Sequence, residues 1–203
     1  KVKINILNQL KFKNLNFNFD IDKNNYLLKE INVQLNNIEI SSPLIEVEEN
    51  NNLFFVKGEL LNKKKNFDIE EIKLIFSDIT NYPEIKKIEF SSKNNFSFNV
   101  NKKFKFDNFK IKSTVNLNEL IISQKDLRLK EYFPSFVEEI KLQKHKVIIN
   151  YHKKRLDIKG NGNILLEEKL DSLSYKLIKN NKNFSFNSKI NIKNNSLLLE
   201  FLD

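Results

Sequence analysis

The residue types that do chemistry are scarce in this chain, and their spacing does not assemble a site. The two histidines, His145 and His152, lie seven residues apart around the apolar run Val147-Ile148-Ile149. On a strand this odd spacing directs the two side chains to opposite faces, so we do not expect them to share a metal ion. We interpret both as surface histidines.

Two pairs of carboxylates, Asp20 with Asp22 and Glu46 with Glu48, are spaced to share a strand face. Such pairs can hold Ca²⁺ or carry out acid–base chemistry. Lysines are abundant nearby and no glycine-bearing calcium loop accompanies the pairs, so we interpret them as a solvated polar face. The chain also lacks a Gly-x-Ser-x-Gly elbow, a glycine-rich phosphate loop and a His-Glu-x-x-His motif. We therefore predict no catalytic residue, no metal site and no cofactor, and we expect that the protein is not an enzyme.

The composition narrows the class of protein. With 203 residues, 40% of them hydrophobic and 18 of them Phe, the chain is long and apolar enough to bury a core. It has 3 Gly, 3 Pro and no Cys, and its excess of Asn, Lys, Ile and Phe is what an AT-rich genome produces. The net charge of +9 is spread over single lysines and short runs beside acidic residues, so we interpret it as a solvated surface. The lack of cysteine excludes disulfides and leaves the redox compartment open.

The strongest pattern is an apolar residue at every second position, with Asn, Lys, Ser or Asp between. Because successive side chains of a strand point to opposite faces, this period of two predicts a sheet with one apolar and one polar face. The stripe includes Leu10, Phe12, Leu15, Phe17, Phe19 and Ile21, then Phe96, Phe98, Val100, Phe104 and Phe106, and later Phe184, Phe186, Ile190 and Ile192.

Turns rich in Asn and Lys separate these stripes, because Asn tolerates the left-handed conformation that Gly usually supplies. Antiparallel strands joined by such turns predict a meander. Twice the stripe changes parity, across Lys13-Asn14 and across Asp107-Asn108, which predicts β-bulges and a curved sheet, with short turns as the alternative. The predicted strands are 2–8, 10–21, 27–40, 44–48, 53–61, 67–76, 85–91, 95–101, 104–116, 139–151, 155–166, 172–179, 183–192 and 196–202.

One stretch predicts a short helical turn, which runs through Leu129 and Phe133 and ends because Pro134 cannot continue it. Ser123 or Asp126 would cap this turn. A strand that leads into a turn is the alternative.

A faint internal repeat suggests two units. Val56-Lys57-Gly58 precedes Asn95-Phe96-Ser97-Phe98-Asn99, and Ile158-Lys159-Gly160 precedes Asn183-Phe184-Ser185-Phe186-Asn187, although chance similarity in a restricted alphabet is the alternative. We divide the chain into a first β-groove segment, 1–116, and a second β-groove segment, 117–203, preceded by the short helix or turn.

Two architectures fit one apolar sheet face. In a β-sandwich that face packs against a second sheet, whereas in a single curved sheet it stays open as a groove. A nucleic-acid platform presents aromatic and basic side chains on the same side. In Lys103-Phe104-Lys105-Phe106 the pleat separates them, so we predict no nucleic-acid partner.

The C-terminal half, about residues 115–203, carries a resemblance to a known family. Its elements are Leu127 to Pro134 with the aromatic-Pro pair Phe133-Pro134, His145 to Tyr151, Ile158-Lys159-Gly160-Asn161-Gly162, and the closing Phe184-Ser185-Phe186. This pattern resembles the AsmA-like proteins, in particular the YhdP/TamB type. The resemblance implies a repeating β-groove protein of Gram-negative envelopes, which is anchored in the inner membrane and extends through the periplasm.

The resemblance also implies a function. The groove of such a protein shields or conducts phospholipid acyl chains between the inner and outer membrane, without catalytic residues. No apolar run here approaches the roughly 20 residues of a spanning helix, so we expect a fragment with adjacent β-groove segments and membrane attachment outside it. The alternative is a structural β-domain, a scaffold or adhesion module with a closed core. The predicted lipid-groove lining is Phe96, Phe98, Phe104, Phe106, Phe184, Phe186, Ile190 and Ile192.

Overall fold

The computed structural model describes residues 5–6, 10–35, 38–67, 84–123, 128–181 and 183–196. These residues form eleven strands and one short 3-10 helix. The strands are β1 (Asn5–Ile6), β2 (Leu10–Asp22), β3 (Asn25–Leu35), β4 (Ile38–Asn50), β5 (Leu53–Phe67), β6 (Glu84–Asn101), β7 (Phe106–Ser123), β8 (Glu139–His152), β9 (Arg155–Leu165), β10 (Leu170–Asn180) and β11 (Asn183–Asn191).

All described strands belong to one antiparallel sheet in which each strand pairs with the next one along the chain. The first and last of these strands do not pair with each other, so the described sheet stays open. A sandwich needs two sheets packed face to face, and the described strands form one. The prediction of an all-β curved meander with an open groove is confirmed, and the described strands do not form the alternative sandwich.

The register gives this sheet one apolar and one polar face, because cross-strand partners point to the same side. One row of directly paired residues crosses every strand from β2 to β11. The residues one position away on each strand form a second row, whose side chains point to the opposite face. The apolar row is Phe19, Leu28, Ile45, Gly58, Phe96, Ile111, Tyr151, Leu156, Lys179 and Phe184. The polar row is Asp20, Leu27, Glu46, Lys57, Ser97, Lys110, His152, Arg155, Asn180 and Asn183.

Both predicted β-bulges are present. The β2–β3 register shifts next to Lys13, and the β6–β7 register shifts between Ser97 and Asn99. The residues at the parity changes, Asn14 and Asn108, have left-handed φ angles of 52° and 51°. Bulges of this kind bend a strand and increase its twist, so these positions contribute to the curvature of the sheet.

Several predicted boundaries are wrong. The segment Lys93-Asn94-Asn95, predicted as a turn, lies inside β6, so the strands predicted at 85–91 and 95–101 are one strand. The Asn94 side chain donates hydrogen bonds to Leu60 O and to Ser92 Oγ, at 3.2 and 2.8 Å, which satisfies a polar group within the sheet. Of the predicted strands 2–8, 67–76 and 196–202, residues 2–4, 7–8, 68–76 and 197–202 lie outside the described residues.

The predicted helical turn is the 3-10 helix Arg128–Glu131. The Phe133 N–H donates to Leu129 O at 2.7 Å, and the Phe136 N–H donates to Phe133 O at 3.0 Å. These bonds wind the segment tightly enough to direct both phenylalanines toward the sheet. The candidate cap Asp126 lies outside the described residues.

This segment closes one end of the apolar face. Phe133 and Phe136 are buried against Ile164 and Leu166, and five partly buried residues surround them. Those five are Leu129, Ile140, Leu142, Leu173 and Ile192. The cluster lies at the rim of the sheet where the strand ends are joined by the β7–β8 and β9–β10 connections. We call this rim the connection edge; it is distinct from the edge strands β1 and β11. The opposite edge carries the β2–β3, β4–β5, β6–β7, β8–β9 and β10–β11 hairpin turns, and we call it the hairpin edge.

The two copies of the faint repeat do not occupy equivalent places. Gly58 on β5 is the direct partner of Phe96 on β6, its neighbour. Gly160 on β9 is the partner of Tyr175 on β10, whereas Phe184 lies one strand further, on β11. The proposed boundary between residues 116 and 117 falls inside β7, and β7 pairs with β8 on both sides of that boundary.

Candidate functional site

The apolar face carries a run of contacting aromatic rings near the hairpin edge. Phe98 on β6 lies at the centre of this run, with ring centroids 6.0 Å from Phe96, 5.5 Å from Phe106 and 6.3 Å from Phe109. Phe109 then contacts Tyr151 on β8 at 5.9 Å. These separations are typical of favourable aromatic pairs. The bulge at Asn108 brings Phe106 and Phe109 to the same face, because an added residue restores the parity.

This face is open to solvent at the hairpin edge. Phe106 is 66% exposed, Phe184 is 64% exposed and Phe186 is 55% exposed, although all three belong to the apolar stripe. Phe106 continues the aromatic run of β6 to β8, whereas Phe184 and Phe186 lie four strands away on β11. Exposed apolar surface gathered on one face of a sheet is typical of a binding surface. No described part of the chain covers this patch.

Deeper along the same face the sheet encloses a hollow of about 340 Å³. Five successive strands, β4 to β8, contribute its wall, which a flat sheet cannot do, so the apolar face is concave here. The volume lies at the lower end of the roughly 300–1,000 Å³ of ligand pockets. The wall is formed by Ile38, Ile40, Leu60, Leu61, Asn62, Phe67, Phe90, Ser92, Asn94, Ile111, Ser113, Val115 and Ile149.

The predicted lining residues separate into two groups. Six of them share the apolar face, as the register requires: Phe96, Phe98, Phe106, Phe184, Phe186 and Ile190. Phe104 lies in the β6–β7 turn with a left-handed φ of 56°, and not on a strand. Ile192 follows β11 and packs against the cluster at the connection edge.

Sequence reasoning missed the polar residues that lie on the apolar face. Asn62, Ser92, Asn94 and Ser113 line the hollow, and three of them bond to one another: Ser92 contacts the Asn62 amide oxygen, and Asn94 donates to Ser92. Because Asn and Ser are polar, the sequence suggested that these residues lie on the polar face or in a turn. Only the register to neighbouring strands reveals their position, for example the pairing of Ser113 with Ile149.

The interpretation of His145 as a surface histidine is wrong. The residue is only 1% exposed, and it lies on the apolar face opposite Leu117, over Gly162, where a missing side chain leaves room. Nε2 donates to Asn163 O at 2.8 Å, which leaves Nδ1 buried without a partner. The ring stacks on Tyr175 at 5.7 Å. Burial lowers the pKa of His145, and the bond to Asn163 O raises it by less. His152 lies on the polar row, so the two rings do occupy opposite faces.

The polar face is crossed by ion pairs between neighbouring strands. Lys57 Nζ lies 2.8 Å from Glu46 and 3.1 Å from Glu48. Lys87 pairs with Glu119 at 2.5 Å, and this bond is the main cause that lowers the pKa of Glu119. The carboxylate pair Glu46 and Glu48 is therefore occupied by an ammonium group. In the part of the chain that the structure describes, no three potential ligands come together to hold a metal ion.

The comparisons with known proteins identify no family. No protein-family model matches the sequence, no curated protein matches it, and no solved structure matches the fold. Among the described residues, no helix combines the length and the apolar character that crossing a membrane requires.

Proposed function

We propose that this chain is a segment of an AsmA-like envelope protein whose apolar groove shields or conducts phospholipid acyl chains between the inner and outer membranes. The observation that carries the proposal is the apolar row, which crosses ten strands and has only Lys179 as a charged member. With neighbouring strands about 4.8 Å apart, nine steps extend over about 43 Å. This is about the thickness of a whole bilayer with its headgroup regions, roughly 40–45 Å, so a phospholipid of half that length fits along the row.

The physical basis of binding is burial of hydrocarbon. Each methylene that leaves water for an apolar wall contributes about 0.8 kcal/mol, so a chain that lies along the groove gains several such increments. The exposed rings of Phe106 and Phe184 bury apolar surface at the same time. Such binding needs no cofactor and no catalytic group.

The cellular setting of the proposal comes from the resemblance of residues 115–203. We place the chain in the periplasm of a Gram-negative cell, with inner-membrane attachment through regions outside this segment. β11 supports the idea of adjoining β-groove segments, since its outer edge has no described partner and exposed edges favour further pairing. An additional strand there would extend the apolar row.

The test is lipid extraction and mass spectrometry of the purified chain, compared with two variants. Phe98→Asp places a charge at the centre of the aromatic run and should abolish copurified phospholipid while the fold remains. The control Ser97→Asp places the same charge one residue away on the polar row, beside Lys57 and Lys110, and should retain the lipid. The proposal fails if the parent chain carries no lipid and Phe98→Asp unfolds it.

The competing function, a structural β-domain with a closed core, is favoured by the connection edge alone. There Phe133, Phe136, Ile164 and Leu166 are buried by the chain itself. A second buried pair, Ile38 and Phe67, lies at the same edge. If the hairpin edge were covered by a protein partner in the same way, the groove would be an interior wall, and lipid would be absent from the purified chain.

A further inference from the structure

We infer that the hairpin edge between β6 and β11 docks on the surface of an anionic phospholipid bilayer. The edge presents three neighbouring hairpin tips, at residues 101–105, at residues 152–155 and beside the paired residues Asn180 and Asn183. Adjacent tips are two strands apart, or about 10 Å. The edge and the groove are separate features, so this inference does not require that acyl chains enter the groove.

The tips concentrate positive charge. Lys102, Lys103, Lys105, Lys153 and Lys154 are all exposed, and none of these ammonium groups forms an ion pair with a described residue. The three tip sequences contain no Asp or Glu. By contrast, the β4–β5 tip at the same edge, residues 50–53, contains no Lys or Arg, so the basic character belongs to the β6–β11 part of the edge.

The backbone of the β8–β9 tip is unusual for its residues. Lys153 and Lys154 both have left-handed φ angles, 48° and 64°. Two-residue hairpin turns of this type normally use Asn or Gly, since other residues cost roughly 1–2 kcal/mol each in that conformation. The chain is rich in Asn, and Asn181 occupies the corresponding region of the β10–β11 turn with φ 51°. Lysine at both positions therefore places charge at the tip, although the left-handed backbone there is unfavourable for lysine.

Phe104 supplies the apolar part of the surface. It is 80% exposed and has a left-handed φ of 56°, so neither packing nor local preference favours Phe at this position. The Asn101 side chain accepts hydrogen bonds from the N–H groups of Lys103 and Lys105, at 2.9 and 3.1 Å, which orders the loop. The loop thus presents an aromatic ring between two lysines.

Lys179 links the edge to the groove. It is the one charged member of the apolar row, and its direct partners are Leu156 and Phe184. An aromatic ring flanked by ammonium groups matches the bilayer interface, where apolar side chains enter the acyl region and cations meet phosphate. Single-stranded nucleic acid can also meet the lysines with phosphate and stack a base on the Phe104 ring, so its binding is the competing outcome of the test. The apolar face that continues from the tips, with Phe106 and Phe184 exposed, favours the bilayer.

The experiment is flotation of the purified chain with vesicles of phosphatidylcholine alone or with phosphatidylglycerol. We expect binding only to the anionic vesicles, and loss of binding in about 1 M salt, where the screening length falls from about 10 Å to about 3 Å. The double variant K153Q/K154Q should weaken partitioning roughly 30-fold, from about fivefold for each lysine. The matched control K63Q/K169Q removes equal charge outside the tips and should bind as the parent does.

Phe104→Ser should weaken binding about tenfold or more, because the inserted ring is lost. Its control is Val137→Ser, a change at an apolar residue that is also exposed but lies at the connection edge. Equal binding to neutral and anionic vesicles, equal behaviour of the two lysine variants, or binding of single-stranded RNA with no vesicle binding would overturn the inference. The Phe98→Asp variant should still float with anionic vesicles, because its change lies in the groove and not at the tips. Failure of the groove proposal would therefore leave vesicle binding intact, whereas failure of this inference would abolish it.

Discussion

Mild acid should destabilise this fold through His145. Burial holds the pKa of His145 below its ordinary value of 6.5, against a smaller opposing effect of the bond to Asn163 O. The unfolded chain therefore takes up a proton near pH 6.5, while the folded chain does so only at lower pH. The stabilisation is complete above pH 6.5 and is lost as the pH falls from there through the lowered pKa. Across this window the free energy of unfolding should fall by up to about 1.4 kcal/mol per pH unit.

Urea unfolding between about pH 7.5 and about pH 5 measures this slope. His145→Phe keeps a ring against Tyr175 but cannot take up a proton, so its slope should be flatter. The variant should also lose about 1–3 kcal/mol at every pH, because Asn163 O is left without its donor. The control His152→Gln changes an imidazole on the polar face and should keep most of the slope. Equal slopes for the parent and His145→Phe would refute the reasoning.

Asp171 and Glu119 do not interfere in that window. Burial raises the pKa of Asp171, but hydrogen bonds from the backbone of Lys193 and Asn194 and from the Asn195 side chain outweigh burial, so its pKa lies below the ordinary 3.8. The pKa of Glu119 lies below the ordinary 4.5. The stabilisation that these carboxylates provide is present above their ordinary values and is lost only in stronger acid.

Three further changes test the packing of the fold, each by urea unfolding. Gly162→Ala should cost about 1–3 kcal/mol, because the added Cβ would lie 2.7 Å from the His145 Cα; an unchanged midpoint would contradict that close approach. Phe136→Ala should cost about 3–5 kcal/mol, whereas Val137→Ala, at the next and exposed residue, should stay within about 0.5 kcal/mol, and similar losses would argue against a buried end cluster. Asp171→Asn should cost about 1 kcal/mol and speed hydrogen exchange at the two amides after β11 that its carboxylate holds; unaltered exchange would count against this clasp.

The period of two predicted much of this fold because the pleat is a local property of the chain. The alternation of Phe96 and Phe98 with Ser97 is enough to assign faces, and the parity change across Asp107-Asn108 is enough to locate a bulge. Short Asn-rich turns make neighbouring strands antiparallel, so the order of the meander follows as well. These inferences need no information about distant partners.

The wrong predictions concern positions whose structure depends on residues that are distant in sequence or on the local backbone conformation. Asn94 suggested a turn, yet its amide is satisfied by Leu60 O on the adjacent strand. His145 looked like a surface residue, but the absence of a side chain at Gly162 lets its ring lie within the sheet face. Phe104 shared the alternating pattern and was assigned to the groove, whereas a left-handed backbone places it in a hairpin tip. For Asn94 and His145 the deciding contact joins residues that are not neighbours in sequence. For Phe104 the deciding feature is a backbone conformation that the residue type does not predict.

Site-specific photocrosslinking tests the central claim most directly. A photoreactive aromatic residue is introduced in turn at four consecutive positions of β6, which are Phe96, Ser97, Phe98 and Asn99, in cells that produce the protein. If acyl chains lie on the concave face, phospholipid adducts will form at Phe96 and Phe98 and will be missing at Ser97 and Asn99. Adducts at all four positions, or adducts to protein alone at Phe96 and Phe98, would contradict a lipid-binding groove.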